Sequence, residues 1–167
     1  LDSVKKYSFK SKVLLVGSAA EYGLLKKGDS PVDENFPLTP NNAYGFTKIL
    51  QKTMMDYYFN VHKLKIVMAR PFNLFGQGIS TNLFVGKVYQ QIDLYKRGKI
   101  KNIKLGNLDS KRDYLPIADA IKHYIRIMNY GVSGEVYNVG SGKPIKTSKL
   151  LSIILKKEKV DYNVIIS

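Results

Sequence analysis

The sequence contains neither cysteine nor tryptophan, and only 13 of its 167 residues are acidic. Without cysteine the chain cannot form a disulfide or a thiolate metal site, which fits a reducing compartment, and we assign no metal ligands. It also lacks a run of about 18 apolar residues, so we expect no membrane span. Its first residues show no apolar core or small-residue cleavage site, so the sequence predicts no signal peptide and a cytoplasmic protein.

Acidic residues are outnumbered by 27 basic ones, which gives a formal net charge of +14. Of these basic residues 23 are lysine and 4 are arginine, and they are scattered along the chain. Surfaces that recognise bases and phosphates in nucleic acids favour arginine, because its planar guanidinium matches them bidentately. We therefore interpret the charge as mostly solvated background, with attraction of a small phosphorylated substrate as the alternative, and we predict no nucleic-acid partner.

Short apolar runs alternate with segments of helical periodicity. The pattern predicts buried strands at residues 12–17, 65–69 and 135–140, and helices at residues 44–62, 82–97, 117–128 and 147–157. Asn41 or Asn42 can cap the first of these helices, and Thr147 or Ser148 the last. One apolar helical face is predicted for the third, from Ile117, Ala120, Ile121, Tyr124, Ile125 and Met128. Such an alternation is typical of an α/β fold with a parallel sheet.

Tyr44 and Lys48 stand four residues apart near the start of a predicted helix, so their side chains share one helical face. A cation beside a phenol favours its ionised form, which suits a general acid and base. Ser18 follows the strand at residues 12–17, at the edge where open α/β sheets bind ligands. Taken alone, Tyr44 and Lys48 also fit a solvated helix face, and Ser18 also fits a strand-end cap.

Six motifs follow one another along the chain: GSAAEYG at 17–23, PVDE at 31–34, YGFTK at 44–48, ARPFN at 69–73, GNLDSKRDY at 106–114 and YNVGSG at 137–142. Each motif is weak by itself, but their joint occurrence in this order is highly specific. The sequence resembles the extended short-chain dehydrogenase/reductase superfamily of nucleotide-sugar epimerases, dehydratases and reductases, over nearly its whole length.

This resemblance implies a role for each candidate site residue. Tyr44 would donate or accept the proton, Lys48 would hold the nicotinamide ribose, and Ser18 would orient the 4-oxygen of the sugar. Gly17, Pro71 and Phe72 would line the cofactor site for NADP or NAD. The contacts to the nucleotide-diphosphate sugar would come from Asn73, Asn82, Lys87 and Arg112. The last four residues each have a simpler alternative, such as a helix cap for Asn82 or an ion pair with Asp109 or Asp113 for Arg112.

By the same resemblance, residues 1–74 and 108–142 would form the C-terminal part of a Rossmann-like parallel sheet with its helices. Residues 75–107 and 143–167 would form part of a smaller α/β lobe that binds the substrate. The Gly-x-x-Gly-x-x-Gly fingerprint, which brings backbone amides to a dinucleotide pyrophosphate, does not occur in the sequence. The first half of the fold is therefore expected to be missing from this chain, and a homodimer is expected at full length.

Among the reactions of the superfamily, the motifs are most similar to those of reductases acting on GDP-linked 4-keto-6-deoxymannose, with CDP- or dTDP-linked sugars as close alternatives. Dehydratases carry an extra acid at the position of Ala20, so dehydration is disfavoured. A 4-epimerase, which uses the same residues to oxidise and then reduce C4, remains an alternative. A hypothesis of another class is a non-catalytic fragment or binding module.

Overall fold

The computed structural model of the chain describes residues 1–26, 28, 29 and 31–166. Its α-helices are α1 (Asp2–Tyr7), α2 (Ala43–Asn60), α3 (Phe84–Lys96), α4 (Ile117–Tyr130) and α5 (Thr147–Glu158). Its strands are β1 (Lys12–Val16), β2 (Lys65–Pro71), β3 (Asn73–Phe75), β4 (Ile103–Lys104), β5 (Lys111–Arg112), β6 (Tyr114–Pro116), β7 (Val136–Val139), β8 (Ile145–Lys146) and β9 (Ile165–Ile166). The larger of two compact units comprises Leu1–Leu74 and Leu115–Gly142, and the smaller comprises Phe75–Tyr114 and Lys143–Ser167.

The sheet of the larger unit has β2 at its centre, and β1 and β7 lie parallel to it on either side. In this register Val13 lies opposite Ile66, and Ala69 lies opposite Tyr137. Every residue of β2 from Ile66 to Pro71 is buried. Because both faces of a parallel sheet are covered, such a strand is apolar almost throughout rather than at alternate positions. The parallel α/β sheet predicted from the sequence is confirmed.

Helices α2 and α4 cover opposite faces of this sheet, because successive side chains of a strand point to opposite sides. Ile66 and Met68 pack with Met55 of α2 on one face. Val67 packs with Ala120 of α4 on the other face. The two helices therefore hold β2 from both sides, and the residues that follow β2 emerge from a rigid part of the molecule.

Only part of the predicted apolar face of α4 meets the sheet. Ala120 and Ile127 are buried, whereas Ile117, Ile121 and Ile125 are 41%, 48% and 57% exposed. The exposed isoleucines are spaced by four residues and form a stripe of their own along the helix. The sequence prediction of a single packed face was therefore wrong for these three positions, since periodicity does not tell which flank of a broad apolar face lies against a sheet.

The smaller unit has its own core between α3 and α5. Val88 and Ile92 of α3 pack with Leu151 and Leu155 of α5 in one buried cluster, which also contains Ile103 of β4. Around this cluster β4 pairs in parallel with β9, and β5 pairs in antiparallel orientation with β8. These strands are only two residues long, and their sequences carry no period that would have predicted them.

Two local predictions differ from the structure. Residues 108–114, expected in the larger part, lie in the smaller unit, because Leu108 packs on its core and β5 pairs with β8. Thr147 is not the cap of α5 but its first residue, and the residue at the cap position is Lys146. The buried Thr147 hydroxyl instead donates a hydrogen bond to the Ser110 carbonyl oxygen, at 2.9 Å.

Matched substitutions in α4 test which flank of the helix is packed. Ile127→Ala should lower the free energy of unfolding by about 2–5 kcal/mol, because it empties a buried site between helix and sheet. Ile121→Ala should change it by less than about 0.5 kcal/mol, because that side chain is half exposed and alanine is the better helix former. Urea unfolding of the 167-residue chain measures both, and equal losses would contradict the orientation of α4.

Candidate active site

Ser18 lies just beyond the end of β1, at the N-cap of the short 3₁₀-helix Ala19–Tyr22. Its hydroxyl oxygen accepts a hydrogen bond from the Ala20 amide, at 3.2 Å. The simpler interpretation of Ser18 as a strand-end cap therefore describes a real contact. Because the hydroxyl acts there as an acceptor, its own proton can still be donated to an oxygen of a ligand.

Tyr44 is the second residue of α2, and its side chain is 56% exposed. The helix begins there because the Asn42 side chain accepts a hydrogen bond from the Gly45 amide, at 2.8 Å. This confirms Asn42 as one of the two caps predicted from the sequence. The cap fixes the first turn of α2 and leaves the Tyr44 phenol open to a bound molecule.

Lys48 connects Tyr44 to the end of strand β1. Its Nζ donates a hydrogen bond to the Val16 carbonyl oxygen at 2.8 Å and another to Gln51 Oε1 at 3.2 Å. The same Nζ lies 5.6 Å from the centroid of the Tyr44 ring, within the range of a cation–π contact. The ammonium is thus held between the phenol and a carbonyl two residues before Ser18.

Gly45 lets α2 approach the segment that carries Ser18. A Cβ atom at Gly45 would lie 2.4 Å from the Ala20 carbonyl oxygen, a distance at which the two backbones would have to separate. Any other residue at this position would therefore push the start of α2 away from the 3₁₀-helix. Through this contact the backbones beside Tyr44 and Ser18 lie against each other.

The residues predicted to line the cofactor site stand at the carboxyl ends of the strands. Gly17 and Pro71 are buried at the ends of β1 and β2. Phe72 donates its amide to the Val139 carbonyl oxygen at 3.0 Å, and its ring stacks on that of Tyr22 with the centroids 6.3 Å apart. This is the edge of a parallel sheet at which ligands bind in open α/β folds.

The residues predicted to bind the substrate differ in their surroundings. Asn73 is partly buried at the start of β3 in the larger unit. In the smaller unit Asn82 and Lys87 are exposed before and within α3, and Arg112 is exposed in β5. The cap position of α3 is taken by Leu83, so Asn82 is not the helix cap that its residue type also suggested. Asp109, one alternative partner of Arg112, pairs instead with Lys146, at 3.1 Å.

A fully buried ion pair, which the sequence interpretation did not include, lies beside Ser18. Glu21 and Arg70 are 0% and 1% exposed. Glu21 Oε2 accepts hydrogen bonds from Arg70 Nε at 3.0 Å and from Nη2 at 2.8 Å. The other carboxylate oxygen, Oε1, accepts one from the Ser18 amide at 2.8 Å. The carboxylate therefore links the central strand of the sheet to the candidate catalytic serine.

The buried pair continues into a network through Tyr22. Arg70 Nη1 donates to the Tyr22 hydroxyl at 2.8 Å, and this hydroxyl lies 2.9 Å from the Asp33 carbonyl oxygen and 2.8 Å from Asn138 Oδ1. Glu34 Oε1 accepts a hydrogen bond from the Asn138 amide at 2.7 Å. Burial raises the pKa of the Tyr22 phenol, although the Arg70 guanidinium opposes this, so Tyr22 remains a hydrogen-bond donor at neutral pH. The motifs PVDE and YNVGSG thus meet in this network.

Two signals in the sequence could have pointed to this network. Arg70 lies inside an otherwise apolar strand, and a buried guanidinium requires a paired charge and further hydrogen-bond acceptors. Ser18-x-x-Glu21 is the pattern of a capping box, in which the glutamate side chain returns to the amide of the cap residue. What the sequence does not contain is the pairing of Glu21 with Arg70, 49 residues further along the chain.

The described part of the chain contains neither a membrane-spanning helix nor a cluster of metal ligands. None of the helices placed there is long and apolar enough to cross a membrane. Residues 1–26, 28, 29 and 31–166 also contain no group of three or more His, Asp or Glu side chains that could hold a metal ion.

The model of the NAD dependent epimerase/dehydratase family matches residues 1–140 of the chain. The chain is 26% identical to the GDP-6-deoxy-D-mannose reductase of Pseudomonas aeruginosa over 166 residues, which cover 99% of the chain and 55% of that protein. It is 32% identical to UDP-glucose 4-epimerase 2 of Oryza sativa subsp. japonica over 171 residues, which cover 89% of the chain and 40% of the epimerase. The chain thus spans about half the length of these curated relatives.

Solved structures share the fold of the chain. The structure of RMD from Pseudomonas aeruginosa in complex with NADPH superimposes with a TM-score of 0.92 at 26% identity, covering 99% of the chain and 56% of that structure. A dTDP-glucose 4,6-dehydratase from Bacillus anthracis in complex with NAD gives a TM-score of 0.86 at 23% identity over 99% of the chain and 51% of the dehydratase, which shows the shared fold alone. Because the family model matches most of the chain and the parallel sheet superimposes on a solved structure 26% identical to it, the chain belongs to the NAD-dependent epimerase/dehydratase family of extended short-chain dehydrogenases/reductases.

Proposed function

We propose that the protein carrying this chain reduces a 4-keto-6-deoxy sugar linked to a nucleoside diphosphate, with GDP as the first choice of nucleotide and CDP or dTDP as alternatives. One observation carries the proposal: Lys48 Nζ lies 2.8 Å from the Val16 carbonyl oxygen and 5.6 Å from the Tyr44 ring centroid. A phenol, an ammonium and the strand end that delivers Ser18 are thereby tied together. This is the combination needed to move a proton onto a carbonyl oxygen.

Each of the three residues has a separate task in this proposal. Tyr44 donates its proton to the oxygen at C4 as the carbonyl is reduced, and Lys48 stabilises the phenolate that is left behind. Ser18 donates a hydrogen bond to the same oxygen and stabilises the charge that develops on it. The exposed phenol of Tyr44 and the unused donor of Ser18 both suit these tasks.

The family depends on NAD(P), and the residues at the sheet edge suit the nicotinamide end of such a cofactor. Lys48 and Tyr44 would hold the ribose, and Gly17, Pro71 and Phe72 would line the ring. When bound, the cofactor supplies the hydride for C4. The fit rests on the Lys48 ammonium, which already lies beside the phenol and presents a donor for ribose hydroxyls.

Reduction is favoured over dehydration by the burial and the hydrogen bonding of the Glu21 carboxylate. Both of its carboxylate oxygens accept hydrogen bonds inside the protein, from Arg70 and from the Ser18 amide, and the side chain is fully buried. It is therefore not available as the additional acid for eliminating water. Epimerisation at C4 stays the second candidate, because it needs only Ser18, Tyr44 and Lys48 and because a UDP-glucose 4-epimerase is 32% identical.

Assembly into a homodimer remains a prediction. Leu50, Met54 and Tyr57 of α2 and Val61 at its C-cap are each about half exposed and recur at helical spacing. Such a stripe supports the burial of this helix face against a second copy. Light scattering on the purified protein would detect the dimer, and Met54→Lys should shift it toward monomer because the substitution places a charge in the contact. An unchanged dimer would place the interface elsewhere.

Replacing the proposed proton donor tests the reaction. Tyr44→Phe should lower the turnover number by about 10²–10⁴-fold, the usual contribution of a positioned general acid. Tyr130→Phe, which removes the hydroxyl of an exposed tyrosine in the same unit, should leave turnover unchanged. The assay follows cofactor oxidation with GDP-, CDP-, UDP- and dTDP-linked 4-keto sugars, on the protein as its natural gene encodes it. Activity equal to wild type in Tyr44→Phe would remove this residue from the mechanism, and no activity with any substrate would favour a binding module.

Arg112 is predicted to grip the diphosphate of the substrate, together with Lys87. Arg112→Ala should weaken nucleotide-sugar binding by about 10–150-fold, because a charged hydrogen bond typically contributes about 1.5–3 kcal/mol. Arg112→Lys should weaken it too, since an ammonium cannot reproduce the bidentate guanidinium. Arg97→Ala is the control, because Arg97 is exposed in the same unit and pairs with Asp93.

Calorimetric titration at one salt concentration gives these affinities, and duplex DNA is titrated alongside because phosphate binding depends strongly on salt. DNA should bind weakly and respond little to Arg112→Ala. Tight DNA binding that is lost in this variant, with nucleotide-sugar binding intact, would overturn the role of Arg112.

A further inference from the structure

We infer that Glu21 and Arg70 are positioning residues for catalysis, which hold Ser18 in the orientation needed to bind the substrate oxygen. The inference rests on the proposed function, since it gives these residues a role through Ser18. Neither side chain can touch a ligand itself, because both are buried. Their effect must therefore pass through the backbone of the serine.

The carboxylate of Glu21 is the link in this arrangement. Its Oε2 accepts hydrogen bonds from Arg70 Nε at 3.0 Å and from Nη2 at 2.8 Å, so two nitrogens of the guanidinium contact one carboxylate oxygen. Its Oε1 receives the Ser18 amide at 2.8 Å. A hydrogen bond to an ionised acceptor is stronger than one between neutral groups, so the Ser18 backbone is held firmly.

The position of Arg70 makes the link rigid. It lies in β2, which is buried along its length and covered by helices on both faces. Its third nitrogen, Nη1, donates to the Tyr22 hydroxyl at 2.8 Å and to the Glu34 carbonyl oxygen at 3.4 Å. With its donors committed inside the protein, the guanidinium cannot turn away without leaving a buried charge without a partner.

Gly17 supplies an independent sign that the carboxylate is tightly placed. A Cβ at Gly17 would lie 2.5 Å from Glu21 Oε1, so no larger residue fits beside Ser18 while the carboxylate is there. The Gly17 amide donates to the Ala69 carbonyl oxygen at 2.7 Å, which fixes the preceding peptide on β2 as well. The two peptides that precede the Ser18 side chain are thus both anchored to the same strand.

The hydroxyl of Ser18 depends on this anchoring. Its oxygen accepts the Ala20 amide at 3.2 Å, a contact that exists only while the residue keeps its N-cap conformation. That contact orients the hydroxyl and leaves its proton for the substrate. Loss of the Glu21 contact would free the Ser18 peptide to turn, and the donor would no longer point in one direction.

Two double variants separate this role from fold stability. The Gln/Met variant, Glu21→Gln with Arg70→Met, keeps an oxygen acceptor for the Ser18 amide. The Met/Met variant, Glu21→Met with Arg70→Met, removes it. Neither double variant buries a lone charge, and exchanging a buried ion pair for neutral groups of similar size is often tolerated. Val67→Ala, a buried change in the same strand that touches none of these groups, is the control for a general loss of stability.

Hydrogen exchange of the Ser18 amide and steady-state kinetics are measured on the protein as its natural gene encodes it. The Met/Met variant should exchange the Ser18 amide about 10–150-fold faster than wild type, and the Gln/Met variant distinctly less so. The turnover number of Met/Met should fall by about tenfold or more, while KM for the nucleotide sugar stays within about twofold. Val67→Ala should change neither the Ser18 exchange rate nor turnover at a temperature where it is folded.

Equal exchange rates in the two double variants, or full turnover in Met/Met, would overturn the inference. Wild-type protein provides a check that needs no variant, because a Ser18 amide that exchanges as fast as an exposed amide would show that Glu21 does not hold it. Failure of the proposed function is recognised separately. Unchanged turnover in Ser18→Ala would remove the catalytic role of the serine, whatever the double variants show.

Discussion

Arg70 lies inside the central strand of the sheet, where its guanidinium is cut off from water, and the Glu21 carboxylate neutralises its charge. Taking two ions out of water costs free energy that only good geometry recovers, so the pair is weak evidence for stability. The pair is nevertheless well supported by hydrogen bonds, since the Ser18 amide donates to the other carboxylate oxygen and Arg70 Nη1 donates to the Tyr22 hydroxyl. The pair thus determines where the chain goes after β1, and with it the position of the candidate site.

The site also depends on places where no side chain is tolerated. Gly17 leaves room for the Glu21 carboxylate, and Gly45 lets helix α2 lie against the Ala20 carbonyl. Lys48 then reaches back to the Val16 carbonyl oxygen from the next turn of the same helix. The residues that carry the hydroxyl, the phenol and the ammonium thus lie on rigid elements whose backbones are in contact, an arrangement that suits preorganised groups.

The basic charge of the chain is distributed without relation to these groups. Lys12 caps the C-terminal end of α4 by donating to the Gly131 carbonyl oxygen at 2.6 Å, and Lys52, Lys96 and Lys122 pair with nearby acids. Exposed pairs of this kind contribute little to stability. The proposed function accordingly assigns recognition of the nucleotide sugar to single placed groups such as Arg112, rather than to the net charge of +14.

The sequence by itself determined the three strands of the sheet, the long helices, the parallel sheet and the family, because periodicity and ordered motifs are local properties of the chain. It did not tell that only the central strand β2 is buried, whereas the edge strands β1 and β7 are partly exposed. It also indicated Asn42 as a cap, and Ser18, Tyr44 and Lys48 as candidate residues. Only the tertiary structure decided that Glu21 pairs with Arg70, which flank of α4 is packed, and that residues 108–114 join the smaller unit. These features depend on contacts between residues far apart in sequence. The local pattern around a residue does not specify which distant residue it will contact in the folded protein.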